Sequence, residues 1–210
     1  MAVRRSTLTA PVAALVIATL VAWVALFRLD MMTVEPLAFL AGWTVMMTAM
    51  MLPSAAPLVL VHGPRGRARL VFGYLFVWAL AGLPVYAAAR VVDLMDVPAG
   101  AVAAVLVGAG VYQFTPLKDV CLRACRSPLD FIAMRWGRGA FRLGAEHGVY
   151  CAGCCWTLMA VLVVAAAMSI TVAAVIALLI FAEKVLPAGA WTARASGLAL
   201  VAAAIVVVLV

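Results

Sequence analysis

Charged residues are scarce in this chain. Only 11% of its 210 residues are charged, with 15 Lys and Arg against 8 Asp and Glu, whereas 69% are hydrophobic. Ordinary soluble domains are about half apolar and about a quarter charged. So few charged side chains would leave most of a soluble surface of this size without polar groups. The composition therefore excludes a water-soluble fold and predicts an integral membrane protein.

Sequence motifs of the common enzyme classes are also lacking. The chain has no phosphate-binding loop, no dinucleotide-binding glycine motif and no His-Glu-x-x-His zinc motif. Without an ATP-binding segment, this chain alone cannot pump a solute. A Cys/His dyad is present, but no acidic residue is recognisable that would orient the histidine. The sequence thus identifies no catalytic residue and does not favour an enzyme.

Apolar stretches bounded by charges or by Pro and Gly follow one another along most of the chain. They predict an all-α fold, a bundle of about seven transmembrane helices that forms one integral membrane domain over residues 1–210. Six helices are possible, because the boundary near Met168 and Ser169 carries neither a charge nor a proline. The predicted spans are 10–27, 36–61, 70–89, 99–115, 144–167, 169–182 and 195–210.

Basic residues fall almost entirely on one side of this predicted bundle. If seven spans alternate in direction, 13 of the 15 Lys and Arg lie on the face that carries the N-terminus, and only Arg28 and Arg90 lie on the other. The positive-inside rule then places the N-terminus in the cytoplasm. The net charge of +7 is explained by topology, and no nucleic-acid partner is predicted.

Three cysteines and one of the two histidines lie within nine residues of each other. If this stretch is helical, His147, Cys151, Cys154 and Cys155 share an arc of about 100°. Three thiols and an imidazole suit soft or borderline metals such as Cu(I) or Zn(II). One helix cannot enclose a tetrahedral site, so further ligands are expected from another helix. The alternative is that the cysteines are small packing residues and that His147 lies at the membrane interface.

Methionines form a second cluster in the second predicted span. Met46, Met47, Met50 and Met51 share one side of a helix. Neutral thioethers bind Cu(I) without deprotonation and are tolerated in lipid, where a carboxylate would be costly. Methionine is also a common packing residue, so a purely structural role is the alternative.

A third cluster follows the fourth predicted span. Cys121 and Cys125 are four residues apart and flanked by Lys118, Arg123 and Arg126. Such an electropositive setting favours the thiolate, and the reducing cytosol disfavours a structural disulfide. Metal capture and redox exchange both remain open for this pair, as does a solvated loop without function.

Other charged residues near the predicted helix ends are interpreted as anchors. Glu183 and Lys184 are expected to form an interfacial pair, because a long Lys side chain can reach the lipid headgroups. Glu146 lies roughly opposite the Cys/His arc and is expected to pair with a loop arginine. Neither group is predicted to take part in metal binding.

The motifs together resemble a bacterial family of small membrane proteins described as predicted metal-binding integral membrane proteins, sometimes as copper chaperones. The resemblance extends over about residues 36–187. It implies a multi-pass protein of the bacterial inner membrane that binds a soft metal, copper by the family's description, through the matching Met and Cys positions. It is carried by Met-Met-Thr-Ala-Met-Met-Leu-Pro at 46–53, Tyr-Gln-Phe-Thr-Pro-Leu-Lys at 112–118, Cys-Arg-Ser-Pro at 125–128, Gly-Val-Tyr-Cys-Ala-Gly-Cys-Cys-Trp at 148–156 and Glu-Lys at 183–184.

The function predicted from these observations is the binding of a soft metal for handling or delivery. Cu(I) is the preferred metal and zinc the alternative. The expected partners are the lipid bilayer, a protein that donates or accepts the metal, and a second copy of the chain. The fifth predicted span would carry the main site, the methionine side a second station, and the third cluster a cytoplasmic collecting point. The predicted ligands are His147, Cys151, Cys154, Cys155, Met46, Met47, Met50, Met51, Cys121 and Cys125.

Two other function classes stay open at this stage. A membrane thiol–disulfide or quinone-linked redox protein would use the cysteine pairs as electron carriers, but it should have a pair within reach of the far side of the membrane. A non-catalytic subunit of a membrane complex would use the same clusters for packing only.

Overall fold

The fold is helical throughout the part of the chain that the computed structural model describes, namely residues 6–28, 35–91, 97–166 and 169–209. No strand occurs within these ranges, and a single 3₁₀ turn connects the second and third helices. The predicted boundary at Met168 lies outside the described residues. The helices are α1 Ser6–Leu26, α2 Pro36–Val61, α3 Arg67–Val91, α4 Ala99–Tyr112, α5 Pro116–Arg126, α6 Pro128–Ala133, α7 Ala140–Ala166, α8 Ile170–Val185 and α9 Gly189–Leu209.

Each of the seven predicted spans corresponds to one of these helices, with ends that differ by a few residues. Five of them, α1, α2, α3, α7 and α9, are long and apolar enough to cross a membrane, and the α4–α5 pair, bent by 65°, makes six if it is one broken span. Helix α8 has only 16 residues, fewer than the roughly 20 that span a bilayer. The count of seven spans and the cytoplasmic N-terminus therefore stay predictions.

The polar segment after the fourth predicted span is helical, whereas a solvated loop was one of the alternatives for it. It folds into α5 and α6, and α5 is strongly amphipathic, with Lys118, Cys121, Leu122 and Cys125 buried. These positions recur at intervals of three and four residues, so they form one face of the helix. The solvated-loop alternative for Cys121 and Cys125 is therefore wrong.

Two helices, α2 and α7, form the centre of the bundle. Helix α3 packs against both of them, and so does α8, while α1 covers α2 and both α4 and α5 cover α7. Helix α2 continues through Pro53 and Pro57, and Arg67 donates hydrogen bonds to the carbonyls of Val59, Leu60 and His62 at its C-terminal end. These bonds satisfy acceptors that a helix end leaves without partners.

Glycines allow α3 and α7 to approach closely. A Cβ on Gly144 would overlap the carbonyl of Leu70, and one on Gly148 would stand 3.0 Å from the Cβ of Val77. On the other side of the contact, a Cβ on Gly73 would overlap the carbonyl of Phe141. Small residues at such contacts are typical of helices that associate in lipid. This contact holds α3 and α7 in a fixed register beside the cysteine cluster.

Candidate metal centre

Helix α7 presents the predicted Cys/His cluster to the interior of the bundle. Cys154 and Cys155 have no exposed surface, Cys151 is 1% exposed, and His147 is 2% exposed. The thiols of Cys154 and Cys155 both point back along the helix, donating to the carbonyl of Cys151 at 3.1 and 2.9 Å. The helical arrangement expected from the sequence is confirmed, and the interfacial alternative for His147 is wrong because its side chain is buried.

Helix α5 brings a further thiol to this cluster. The Sγ atoms of Cys125 and Cys154 lie 3.9 Å apart, and both residues are buried. Two sulfurs bound to one metal, each at roughly 2.3 Å, are separated by at most about 4.6 Å. Cys121 lies beside them, with its Sγ 2.8 Å from where a Cβ of Gly153 would stand. The third cluster thus joins the first and is not the separate collecting point that the sequence predicted.

The Sγ of Cys151 is contacted from two further helices. The Tyr74 hydroxyl of α3 lies 3.0 Å from it, and the Lys184 ammonium of α8 donates to it at 2.8 Å. Lys184 also donates to the Ser54 hydroxyl of α2 at 3.4 Å. Lys184 is only 6% exposed, so its interpretation as a headgroup-reaching anchor is wrong.

The neighbouring residue, Glu183, forms a buried ion pair with α5. Its carboxylate lies 2.6 Å from the Lys118 ammonium, and these two side chains are 1% and 0% exposed. Lys118 also donates to the carbonyl of Cys154 at 2.6 Å, and the Ser196 hydroxyl of α9 donates to Glu183 at 3.1 Å. Glu183 is therefore not an interfacial residue. Glu183 connects α8 to α5 and α9, and Lys118 extends this network to α7 at the carbonyl of Cys154.

The four predicted methionine ligands are all buried in α2, at 0 or 1% exposure. Met51 lies near the cysteines through its backbone, because the Tyr74 hydroxyl that contacts Cys151 also donates to the Met51 carbonyl at 3.2 Å. Met50 lines a cavity of about 390 Å³ together with residues of α1 and α8, among them Trp23 and Phe181. The segment is helical as expected, and burial of all four methionines leaves their role as ligands a prediction.

His147 is held by aromatic rings. The Phe131 ring of α6 meets the imidazole edge-on at a centroid distance of 5.1 Å, and Tyr74 lies 5.8 Å away. Its Nδ1 atom is buried and has no hydrogen-bond partner among the described residues. A buried polar atom without a partner is costly, and this nitrogen is free to bind a ligand.

The side chains stand close together without forming a closed cage. Across the described ranges, no group of three or more His, Cys, Asp or Glu residues has the arrangement needed to hold a metal ion. The thiols of Cys125 and Cys154 are the pair that could bind an ion with little movement of their side chains. Two sulfur donors are sufficient for Cu(I), which forms two-coordinate thiolate complexes and is selected by soft ligands.

A second charged cluster lies at the start of α7. Glu146 accepts hydrogen bonds from Arg135 at 2.8 Å, from Arg142 at 3.1 Å and from Arg138. The expected pairing of Glu146 with a loop arginine is confirmed. This cluster is partly exposed, and Arg135 also lies over the Phe131 ring, 3.9 Å from its centroid.

The family model PpoB2, described as copper chaperone, matches residues 40–207. The chain belongs to this copper chaperone family. Comparisons with curated proteins and with solved structures find no match. The resemblance noted from the sequence motifs is thereby confirmed, and the matched region extends from α2 into α9, so it contains every predicted ligand.

Sequence reasoning missed three charged residues of the centre in this copper chaperone family member, Lys118, Glu183 and Lys184. The spacing of residues in the sequence could have identified Lys118. Lys118, Cys121 and Cys125 stand three and four residues apart, which places them on one helical face. Glu183 and Lys184 carried no comparable signal, because adjacent charges at the end of an apolar stretch are also typical of a membrane boundary.

Proposed function

We propose that this protein binds Cu(I) inside a membrane-embedded helix bundle and handles it for delivery to a protein partner. The observation that carries the proposal is the 3.9 Å contact between the Sγ atoms of Cys125 and Cys154. Both thiols are buried, and they belong to a chain of the copper chaperone family. Soft sulfur donors in a dry site favour Cu(I) over harder cations.

The remaining predicted ligands take secondary positions in this proposal. Cys151 and Cys155 contribute further thiols next to the central pair, and the free Nδ1 of His147 supplies a nitrogen one helical turn before Cys151. Cys121 is a neighbouring thiol on α5. Met46, Met47, Met50 and Met51 form a second, weaker station on α2.

The principal test is Cu(I) binding by the purified, detergent-solubilised protein under anaerobic conditions, in competition with a chromophoric Cu(I) chelator. Wild-type protein is expected to take up stoichiometric Cu(I). Cys125→Ser and Cys154→Ser should each weaken binding by at least about tenfold, because each removes one of two primary donors. Cys121→Ser is the matched control on the same helix and should retain the site. A wild-type protein that takes up no copper, or variants that bind like the wild type, would refute the proposal.

The methionine station has its own test. Replacing Met46, Met47, Met50 and Met51 by Leu keeps the side-chain volume and removes the thioethers. The proposal expects the tight site to persist while additional, weaker Cu(I) binding disappears from the titration. Loss of the tight site in this variant would instead place the methionines in the primary coordination sphere.

The membrane location is part of the same proposal. Several helices are long and apolar enough to cross a bilayer, and 13 of the 15 basic residues lie on one side of a seven-span arrangement. We expect a multi-pass inner-membrane protein with seven spans and a cytoplasmic N-terminus. Reporter fusions after each predicted span measure this topology directly, and a fusion at the end of α9 that reports a cytoplasmic location would contradict it.

A redox function is the second candidate, because the same thiol pair favours it. The Sγ atoms of Cys125 and Cys154 would have to approach from 3.9 Å to the S–S bond length of about 2.05 Å. A disulfide in the protein purified without reductant, which a quinone or a thiol donor then cycles, would support this function. Copper bound without any such disulfide would support the first.

A further inference from the structure

Lys184 is a buried cation with no carboxylate within ion-pair distance among the described residues. The only buried ion pair in those ranges joins Lys118 to Glu183, so the adjacent carboxylate is already used. The ammonium of Lys184 contacts the Cys151 sulfur at 2.8 Å and the Ser54 hydroxyl at 3.4 Å. Burial of an unpaired charge is costly, and here the polar atoms that face it are a thiol and a hydroxyl.

The charge of the centre follows from this arrangement. Lys118 and Glu183 cancel each other, whereas Lys184 leaves one positive charge beside the Cys151 thiol. A metal ion bound to the Cys151 sulfur would lie within roughly 5 Å of the ammonium, because the ammonium is 2.8 Å from that sulfur and a metal–sulfur bond is about 2.3 Å long. At that distance inside a dry site, the interaction between the two cations is large and only weakly screened.

We propose that Lys184 is a specificity-determining residue that makes the centre prefer a monovalent soft cation over a divalent one. The inference rests on the proposed function. In the same ligand set, a fixed positive charge repels a divalent ion twice as strongly as a monovalent ion. Two thiolates, Lys184 and Cu(I) together are electrically neutral. The same ligands with Zn(II) retain one uncompensated positive charge in a buried site, which is unfavourable.

The experiment measures the ratio of the dissociation constants for Cu(I) and Zn(II) in the full-length purified protein, with Ag(I) and Cd(II) as a second monovalent and divalent pair. Lys184→Met removes the charge and keeps much of the side-chain volume. Lys184→Gln removes the charge and keeps a polar group next to Ser54, which provides a second uncharged variant if the first does not fold. We expect both to shift the ratio toward the divalent ion by at least about tenfold.

Two controls separate charge from shape. Lys184→Arg retains the positive charge with a different geometry, and Ser54→Ala removes the other contact of the ammonium without any change of charge. Both should leave the ratio within about threefold of the wild type. Size-exclusion chromatography confirms that each variant is folded.

The outcomes are distinguishable. If wild-type protein binds none of the four ions, the proposed function fails, and this inference fails with it. If the metals bind but the uncharged variants keep the wild-type ratio, only the role of Lys184 is overturned. A shift of equal size in Lys184→Arg would also overturn it, because the effect would then follow side-chain shape and not charge.

Discussion

Helix α7 contacts two charged clusters that differ in their environment. Near its start, Glu146 meets three arginines whose side chains are 13, 40 and 71% exposed. In its middle, the carbonyl of Cys154 meets Lys118, which is paired with Glu183 in a site where neither side chain exceeds 1% exposure. The N–O distances of the ion pairs are similar in the two clusters, so the clusters differ mainly in how far water reaches them.

Solvation decides what each cluster contributes. Exposed ion pairs are screened and contribute little, with a median of about 0–1 kcal/mol. A buried pair does not add much net stability either, but removal of one partner leaves an uncompensated charge and costs about 3–5 kcal/mol. The first cluster is therefore tolerant of change. The second requires both partners, which fits its position behind the thiols.

The largest effect is expected for Lys118→Met. It leaves the Glu183 carboxylate buried without its cation and should lower the free energy of unfolding by about 3–5 kcal/mol. Unfolding in mixed micelles measures this value. The double variant Lys118→Met/Glu183→Gln, which removes both charges, should recover much of the loss. A single variant as stable as the wild type would show that the centre is hydrated.

An intermediate effect is expected for Gly144→Ala, at the close contact between α3 and α7. The added methyl group overlaps the Leu70 carbonyl, and such overpacking costs about 1–3 kcal/mol. Because α3 also carries Tyr74, the variant should weaken Cu(I) binding as well. Gly108→Ala is the matched control, since nothing lies within 4 Å of a Cβ at that position. It should be neutral or stabilising by up to about 1 kcal/mol.

A smaller effect is expected for Arg135→Ala in the exposed cluster. Its guanidinium pairs with Glu146 and also covers the Phe131 ring at 3.9 Å, so a loss of about 1 kcal/mol is expected. Arg135→Lys keeps the charge but not the planar group. If the stacking contact matters, thermal unfolding will show that Lys restores only part of the stability.

The smallest effect is expected for Arg142→Ala. This arginine is 71% exposed, and its pair with Glu146 should contribute less than about 0.5 kcal/mol. The contribution should decrease further as salt is added, because the Debye length is only about 10 Å at 0.1 M. A loss above about 2 kcal/mol that persists in high salt would contradict the comparison between the clusters.

Much of the helical framework was accessible from the sequence. The apolar stretches predicted seven helical spans, and each corresponds to a helix of the structure. The spacing of His147, Cys151 and Cys155 placed them on one face of α7. The third cluster was harder to interpret. Its charges indicated a loop, yet the amphipathic face of α5 buries Lys118 with Cys125 against α7.

The partners of the buried charges could not be inferred from one sequence. Lys118 and Glu183 are 65 residues apart, and their pairing depends on how α5 and α8 pack on α7. The same holds for Lys184 and Cys151, which are separated by 33 residues. A hydropathy pattern specifies which side of a helix is buried, but it does not specify which helix covers that side.

The bend between α4 and α5 is held by a residue that has no side chain. Before the bend, the Tyr112 hydroxyl donates to the Gly153 carbonyl. A helical threonine often donates to the carbonyl four residues earlier, which for Thr157 is the same Gly153 carbonyl. The Thr157 hydroxyl has no hydrogen-bond partner among the described residues. After the bend, Cys121 rests its sulfur against the same glycine. Gly153 thus contacts the helix on each side of the 65° bend, α4 through Tyr112 and α5 through Cys121. A Cβ at this position would stand 2.8 Å from the Cys121 sulfur, so the placement of that thiol, on the same helix as Cys125, depends on the lack of a side chain at residue 153.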